Sequence, residues 1–259
     1  MIDAGSGPPV IVIPGVQGRW EWMAPALHAL QQHCRVVSYS LCGDAGSGMS
    51  MDPALGFDNY VHQLDAVYEK TGLSRATLCG VSYGGFIALR YAATYPERVG
   101  SLILVSAPAP GWVPNQRQQR YLAKPRLYAP IFALTAPARL WPEVRSSIAS
   151  WPERLRFVVT YGARVVSAPL VPSNAAARVS VQQATDFSAD AARVRARTLV
   201  ITGEDALDLV VPPAVTRWYV SQIPGARHVT LERTGHIGLV TQPGRFAHIV
   251  SDFVHANHH

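Results

Sequence analysis

Residues 75–86 read Arg-Ala-Thr-Leu-Cys-Gly-Val-Ser-Tyr-Gly-Gly-Phe, and this stretch decides the fold. The pattern predicts a strand ending near Cys79, a tight turn over 80–84, and a helix from Gly84 to Thr94. A serine at such a strand-to-helix turn has strained backbone angles, needs small neighbours, and projects its hydroxyl above the sheet beside a helix N-terminus. A G-x-S-x-G segment elsewhere is an ordinary glycine-rich turn. The flanking strand and helix therefore favour Ser82 as a nucleophile.

Strand-like and helix-like segments alternate on both sides of this turn. The predicted strands are 10–13, 35–39, 75–79, 101–106, 198–202 and 227–231, and the predicted helices are 21–32, 57–71, 84–94, 213–222 and 244–255. Alternation at this spacing is typical of a parallel sheet with helices on both faces. We therefore expect an α/β fold with a mostly parallel sheet of about six strands.

The alternation is interrupted between residues 107 and 196. This segment has no clear strand and is dense in proline and aromatic residues, so we predict a helical cap that lies over the sheet. The core is then formed by residues 1–106 and 197–259. The cap segment holds 12 basic and 4 acidic residues. Its arginines are scattered among apolar residues, which favours solvated side chains over a nucleic-acid surface and predicts a preference for anionic small-molecule substrates.

Composition excludes several classes of protein. Of the 259 residues, 48% are apolar and 15% are charged, which is incompatible with disorder. The longest apolar runs are far shorter than the roughly 20 residues of a membrane-spanning helix, and the first residues lack the basic and apolar pattern of a signal peptide, so none is expected. Cys34, Cys42 and Cys79 lack CxxC spacing, and we expect buried, reduced thiols in a cytoplasmic protein. No metal or cofactor motif appears, so neither is expected.

A serine nucleophile needs a base, and the base needs a carboxylate to orient it. His236, in Thr-Gly-His-Ile-Gly, follows the strand 227–231 in a loop that can reach the edge of the sheet. The loop after the strand 198–202 offers Asp205, which is closer to the strand, and Asp208, which precedes Leu-Val-Val-Pro. The chain order is serine, aspartate, histidine.

These motifs resemble the α/β-hydrolase superfamily over nearly the whole chain. Residues 14–18, Pro-Gly-Val-Gln-Gly, occupy the place of the family's HGxxG oxyanion loop, with proline in place of histidine, and residues 40–47 are similar to its D-x-R-G-x-G-x-S segment. The family spacing puts the acid four residues before a proline, which selects Asp208. Counting three residues after the strand-end glycine selects Ala206, so Asp205 remains the alternative acid.

The resemblance implies further site residues. The oxyanion hole would consist of the backbone N–H groups of Val16 and Tyr83. Only nine residues precede the strand at 10–13, so the family's N-terminal antiparallel hairpin is expected to be shortened or missing. Four residues are candidates for the substrate pocket: Gln17, Trp20, Trp112 and Trp141.

The predicted function is that of a cofactor-independent serine hydrolase that cleaves carboxylic esters or lactones through an acyl-enzyme. The same three residues could serve a C–C bond hydrolase or an amide hydrolase, and the same fold could carry a slow-turnover ligand receptor or a non-hydrolytic enzyme. The glycine-rich residues 43–48 lack GK[ST] and GxGxxG, which argues against nucleotide binding.

Overall fold

The computed structural model describes residues 1–256, apart from the side chain of Phe132, and contains a seven-stranded sheet in the order β1-β3-β2-β4-β5-β6-β7. The strands are β1 (Ile2–Ala4), β2 (Pro9–Ile13), β3 (Arg35–Ser38), β4 (Ala76–Val81), β5 (Val99–Val105), β6 (Arg197–Thr202) and β7 (Arg227–Thr230). Strands β2 to β7 pair in parallel, and β1 pairs antiparallel with β3. The predicted α/β fold with a mostly parallel sheet is confirmed.

The sheet has one strand more than the expected six. The additional strand, Ile2–Ala4, aligns Ile2 with Ser38 and Ala4 with Val36 at the edge of the sheet. Three residues with a central aspartate form no apolar run, which explains why the sequence pattern missed them. The family's N-terminal hairpin is therefore shortened to a single antiparallel strand.

The helices are α1 (Ala24–Leu30), α2 (Asp58–Thr71), α3 (Gly84–Thr94), α4 (Gln116–Ala123), α5 (Pro125–Ser147), α6 (Trp151–Ser167), α7 (Pro172–Gln183), α8 (Asp190–Arg193), α9 (Pro213–Gln222), α10 (Gly238–Thr241) and α11 (Pro243–His255). Short 3₁₀ turns lie at Trp20–Met23, Pro53–Leu55 and Pro96–Arg98. The predicted helix at 21–32 is divided into a 3₁₀ turn and α1, because Pro25 has no N–H with which to continue one helical ladder.

The sheet is buried on both faces. Along β2, the side chains of Ile11 and Ile13 pack into a core with α2, α3 and α9, whereas Val10 and Val12 pack into a second core with α1 and α11. This alternation follows from the two-residue period of a strand. Because both faces need apolar side chains, the strands read as nearly continuous apolar runs.

The segment between β5 and β6 is helical and contains α4 to α8, with no strand among its described residues. Phe187, Ala191 and Val194 of this segment pack into the first core, and two of its polar side chains, Glu143 of α5 and Arg178 of α7, are also buried. Within residues 1–256, no helix combines the length and hydropathy needed to cross a membrane.

Cys34, Cys42 and Cys79 are buried free thiols, as predicted. Burial raises the pKa of the Cys34 and Cys42 thiols to about 11 and that of Cys79 to about 12. All three are therefore protonated at neutral pH and are poor nucleophiles.

Candidate active site

Ser82 occupies a strained turn between β4 and α3. Its φ is 51°, in the left-handed region that residues other than glycine rarely adopt. A β-carbon on Gly80 would lie 2.5 Å from the Gly84 carbonyl oxygen, and one on Gly84 would lie 2.4 Å from the Ile13 carbonyl oxygen. Glycine is therefore required at both positions, because the neighbouring backbone is too close to accommodate a β-carbon. The Ser82 N–H donates to Val105 O at 2.8 Å, which fixes the turn to the neighbouring strand.

His236 lies within hydrogen-bond reach of this serine. Its Nε2 is 3.2 Å from Ser82 Oγ, although the two residues are 154 positions apart in the chain. The loop that carries His236 starts after β7 and is attached to the end of β6, where the Glu204 N–H donates to Thr234 O at 2.8 Å. The strand ends therefore bring the hydroxyl and the imidazole together at one edge of the sheet.

Asp208 completes the contact chain. Its Oδ2 is 3.1 Å from His236 Nδ1, and its Oδ1 accepts hydrogen bonds from the backbone N–H groups of Val210 and Val211, each at 3.0 Å. Asp205 instead forms an exposed ion pair with Arg217 at 3.1 Å. Of the two candidate acids, the structure places Asp208 against the imidazole.

The pKa shifts of Asp208 and His236 are consistent with this hydrogen-bond geometry. Burial acts to raise the pKa of Asp208, but the adjacent imidazole and the two backbone N–H donors outweigh it, so the pKa lies below its usual 3.8. Burial acts to lower the pKa of His236, but the Asp208 and Glu143 carboxylates outweigh it, so the pKa lies above 6.5. An ionised Asp208 fixes the Nδ1–H tautomer and leaves Nε2 free to accept the serine proton.

The loop 14–18 packs against the serine turn. A β-carbon on Gly15 would lie 3.3 Å from Ser82 Cβ. Within residues 1–256, the backbone N–H groups of Val16 and Tyr83 donate no hydrogen bond. These two residues thus belong to segments in contact with the serine, and their role as oxyanion donors stays a prediction.

A buried ion pair that the sequence did not reveal attaches α7 to this loop. The Arg178 guanidinium pairs with the Asp44 carboxylate and donates to Val16 O at 3.0 Å, and only 2% and 1% of the two side chains are exposed. The Tyr83 hydroxyl donates to Arg178 O at 3.0 Å. One residue of the helical segment therefore contacts both residues that carry the predicted oxyanion donors.

The predicted pocket residues are only partly brought to the site. Gln17 lies against Gly15, where a β-carbon would be 2.7 Å from Gln17 Oε1. Trp20 packs against the core on the α1 side, and Trp141 makes an edge contact with Trp151 at 6.0 Å between ring centroids. Within the described residues, no hydrogen bond or ring contact joins Trp20, Trp112 or Trp141 to Ser82 or His236. Their role as pocket residues stays a prediction.

Nothing in the described part of the chain suggests a metal centre, because its histidine, cysteine and acidic side chains do not gather in groups of three or more that could hold an ion. The site is instead built from a hydroxyl, an imidazole, a carboxylate and backbone N–H groups.

Comparison with known proteins agrees with this arrangement. A family model described as the alpha/beta hydrolase fold matches residues 8–243. RutD from Klebsiella pneumoniae strain 342, provisionally named a carbamate hydrolase, is 27% identical over 254 residues, which cover 95% of this chain and 91% of RutD.

Two solved structures have the same fold. A thermophilic esterase from Thermogutta terrifontis superposes with a TM-score of 0.79 at 23% identity, covering 100% of this chain and 93% of the esterase. An enol-lactonase from Burkholderia xenovorans LB400 gives a TM-score of 0.76 at 22% identity, covering 98% and 95% of the two chains. Together with the family match over most of the sequence, these findings show that the chain belongs to the α/β-hydrolase family.

Proposed function

We propose that this hydrolase cleaves carboxylic esters or lactones without a cofactor, through an acyl-enzyme on Ser82. The observation that carries the proposal is the contact chain from Ser82 Oγ to His236 Nε2 and from His236 Nδ1 to Asp208 Oδ2, at 3.2 and 3.1 Å. A hydroxyl needs such a base to act as a nucleophile, and the base needs such a carboxylate to keep its tautomer.

In the first half-reaction, Ser82 Oγ attacks the substrate carbonyl carbon while its proton passes to His236 Nε2. The carbonyl oxygen becomes an oxyanion, which the N–H groups of Val16 and Tyr83 stabilise. As the tetrahedral intermediate collapses, His236 returns the proton to the leaving alkoxide. Asp208 remains ionised throughout and stabilises the imidazolium.

In the second half-reaction, His236 removes a proton from water, and the resulting hydroxide equivalent attacks the acyl-enzyme carbonyl. The same N–H groups stabilise the second oxyanion. Collapse breaks the bond between the acyl carbon and Ser82 Oγ, the proton returns to that oxygen, and the carboxylic acid leaves. The enzyme is regenerated with no redox step, and water is the only co-reactant.

The names of the relatives support this class of substrate. The esterase and the enol-lactonase are named for oxygen-ester cleavage. RutD supports a second candidate, carbamate hydrolysis, in which the attacked carbonyl carries a nitrogen substituent and Ser82 is carbamoylated before water attacks. Both reactions use the same residues and expel an alkoxide, and they differ in the group that is left on Ser82, an acyl or a carbamoyl group.

The charge of the helical segment supports a preference for anionic substrates. Eight of its basic residues are exposed: Arg117, Arg120, Lys124, Arg126, Arg145, Arg156, Arg193 and Arg195. Such a surface raises the local concentration of anions at low ionic strength. Equal kcat/KM for neutral and carboxylate-bearing esters, at low and high salt, would contradict this preference.

The test compares p-nitrophenyl acetate, an enol-lactone and an alkyl carbamate as substrates, with Ser82→Ala as the matched control. We expect the ester or lactone to give the highest kcat/KM, a stoichiometric burst of p-nitrophenol from the ester, and no turnover in the variant. Preference for the carbamate would transfer the proposal to the second candidate. Folded wild-type protein with no burst and no turnover of any substrate would refute both.

A further inference from the structure

Glu143 is a buried carboxyl group that the proposed mechanism does not use. It lies near the C-terminal end of α5, and only 1% of the residue is exposed. Its Oε2 accepts a hydrogen bond from the backbone N–H of Ile237 at 3.1 Å and lies against Gly235, where a β-carbon would be 2.8 Å from the same oxygen. These are the residues immediately before and after His236. Its Oε1 is buried and has no hydrogen-bond partner in the part of the chain that the structure describes.

Further contacts attach the same end of α5 to the histidine loop. Ser147 Oγ donates to Arg233 O at 2.7 Å, and Arg233 Nε donates to Ser146 O at 2.9 Å. The Gln242 side chain donates to Ser147 O at 3.3 Å. The loop is therefore held on one side by the end of β6 and on the other by α5.

Burial of the Glu143 carboxyl group, with no hydrogen bond to Oε1 among the described residues, is costly for the stability of the fold. A buried carboxyl group normally has every oxygen paired, whereas Glu143 has a backbone donor on Oε2 and, within residues 1–256, none on Oε1. A glutamine or an apolar residue would fill the same space without a charge to desolvate. Its burial against the histidine loop is therefore better explained by a function at the site than by a contribution to folding.

We propose that Glu143 is a positioning residue for His236, which bonds the backbone N–H after the imidazole, packs against the glycine before it, and places a second carboxyl group beside it. The inference rests on the proposed function in so far as it assigns His236 the role of base. Asp208 would orient the ring through Nδ1, and Glu143 would hold the peptide that carries the ring and favour the imidazolium through space.

The charge of Glu143 depends on its surroundings. Burial raises the pKa of its carboxyl group to about 7, against the opposing effect of the nearby backbone N–H groups of Gly235 and Ile237 and of His236. The groups that face it are His236 on its loop, Asp208 after β6, and Tyr161 on α6, which has Arg164 beside it. Glu143 and His236 thus change charge in the same pH range, so their titrations are coupled.

The test measures the titration of His236 directly, by NMR of the imidazole ring nitrogens, with its signals assigned by their loss in His236→Gln. In Glu143→Gln the backbone acceptor is kept and the charge is removed. We expect the pKa of His236 to fall by about one unit, as expected for the loss of a nearby opposite charge. Glu232→Gln is the matched control, because Glu232 is exposed, forms an ion pair with Arg245, and lies only four residues before His236.

Kinetic measurements distinguish the positioning effect of Glu143 from the effect of its charge. We expect Glu143→Gln to keep most of kcat and to move the acid limb of kcat/KM to lower pH. In Glu143→Leu, which has neither acceptor nor charge, we expect kcat to fall roughly tenfold or more with a smaller change in KM, as for a misplaced catalytic group. An unchanged His236 titration in Glu143→Gln, or an unchanged kcat in folded Glu143→Leu, would overturn the proposal. The NMR titration needs no substrate, so a failure of the proposed function would appear separately, as wild-type protein without turnover.

Discussion

Replacement of Arg178 by methionine tests how strongly the helical segment is coupled to the oxyanion loop. In the native chain the guanidinium pairs with Asp44 and donates to Val16 O at 3.0 Å and to Cys42 O at 3.4 Å. Methionine fills part of the same volume but leaves the Asp44 carboxylate with Asn174, at 2.8 Å, as its remaining side-chain donor. The substitution therefore leaves a charge buried without its counter-charge.

The magnitude follows from the burial of the pair. Removal of one partner of a buried ion pair costs about 3–5 kcal/mol, and both side chains here are almost fully inaccessible. For a chain of this size, that corresponds to a fall in Tm of roughly 10 °C. Since Arg178 also contacts the carbonyl of Val16, we expect kcat to fall together with stability.

The assay is urea denaturation at pH 7 of Arg178→Met, Asp44→Asn and the double variant. Because the double variant leaves no unpaired charge, it should lose less than the sum of the single losses, with an interaction energy of about 1–3 kcal/mol. The control is Arg245→Met, which breaks an exposed pair and should cost less than about 1 kcal/mol. A loss below about 1 kcal/mol in Arg178→Met, with additive energies in the cycle, would refute the reasoning.

Three other predictions follow from the site. Asp208→Asn should lower kcat roughly 10⁴-fold, as when a triad histidine takes the wrong tautomer, and Asp205→Asn should leave kcat within about twofold of the wild type; equal losses in steady-state assays would contradict the assignment of the acid. Because Asp208 and Glu143 raise the pKa of His236, a pH–rate profile of kcat/KM should fall on the acid side with a midpoint above 6.5. The folded-state pKa of Glu143 is raised from 4.5 to about 7, so its stability contribution is full below pH 4.5 and is lost as pH rises through 7. Glu143→Gln should therefore gain about 3 kcal/mol relative to the wild type between pH 4 and pH 8, measured by denaturation, and a pH-independent difference would exclude this effect.

Local patterns were sufficient for the core of the molecule. The turn at Ser82 needs glycines at fixed positions, and the buried parallel strands need apolar runs, so both leave a clear trace in the sequence. The observed bounds of α3 and α9, Gly84–Thr94 and Pro213–Gln222, are those predicted. The position of His236 also followed from the loop after β7.

Contacts distant in sequence could not be predicted in this way. Asp44 and Arg178 are 134 residues apart, and Glu143 lies 93 residues before His236; neither belongs to a motif or to a periodic pattern. The family spacing favours Asp208 but leaves Asp205 as an alternative, and only the side-chain contacts separate them: Asp205 pairs with Arg217, whereas Asp208 contacts the imidazole. The substrate pocket depends on how helices α4 to α8 pack against the sheet, and their sequence carries no motif that predicts this packing.

The central claim is that the Ser82 hydroxyl is a nucleophile activated by His236, and covalent labelling tests it most directly. Wild-type protein, Ser82→Ala and His236→Gln are treated with a fluorophosphonate, and tryptic peptides are analysed by mass spectrometry. The account predicts a single phosphonyl group on the peptide that contains Ser82, none in Ser82→Ala, and labelling slowed by orders of magnitude in His236→Gln. An unmodified Ser82 in folded wild-type protein, or equal labelling rates with and without His236, would contradict it.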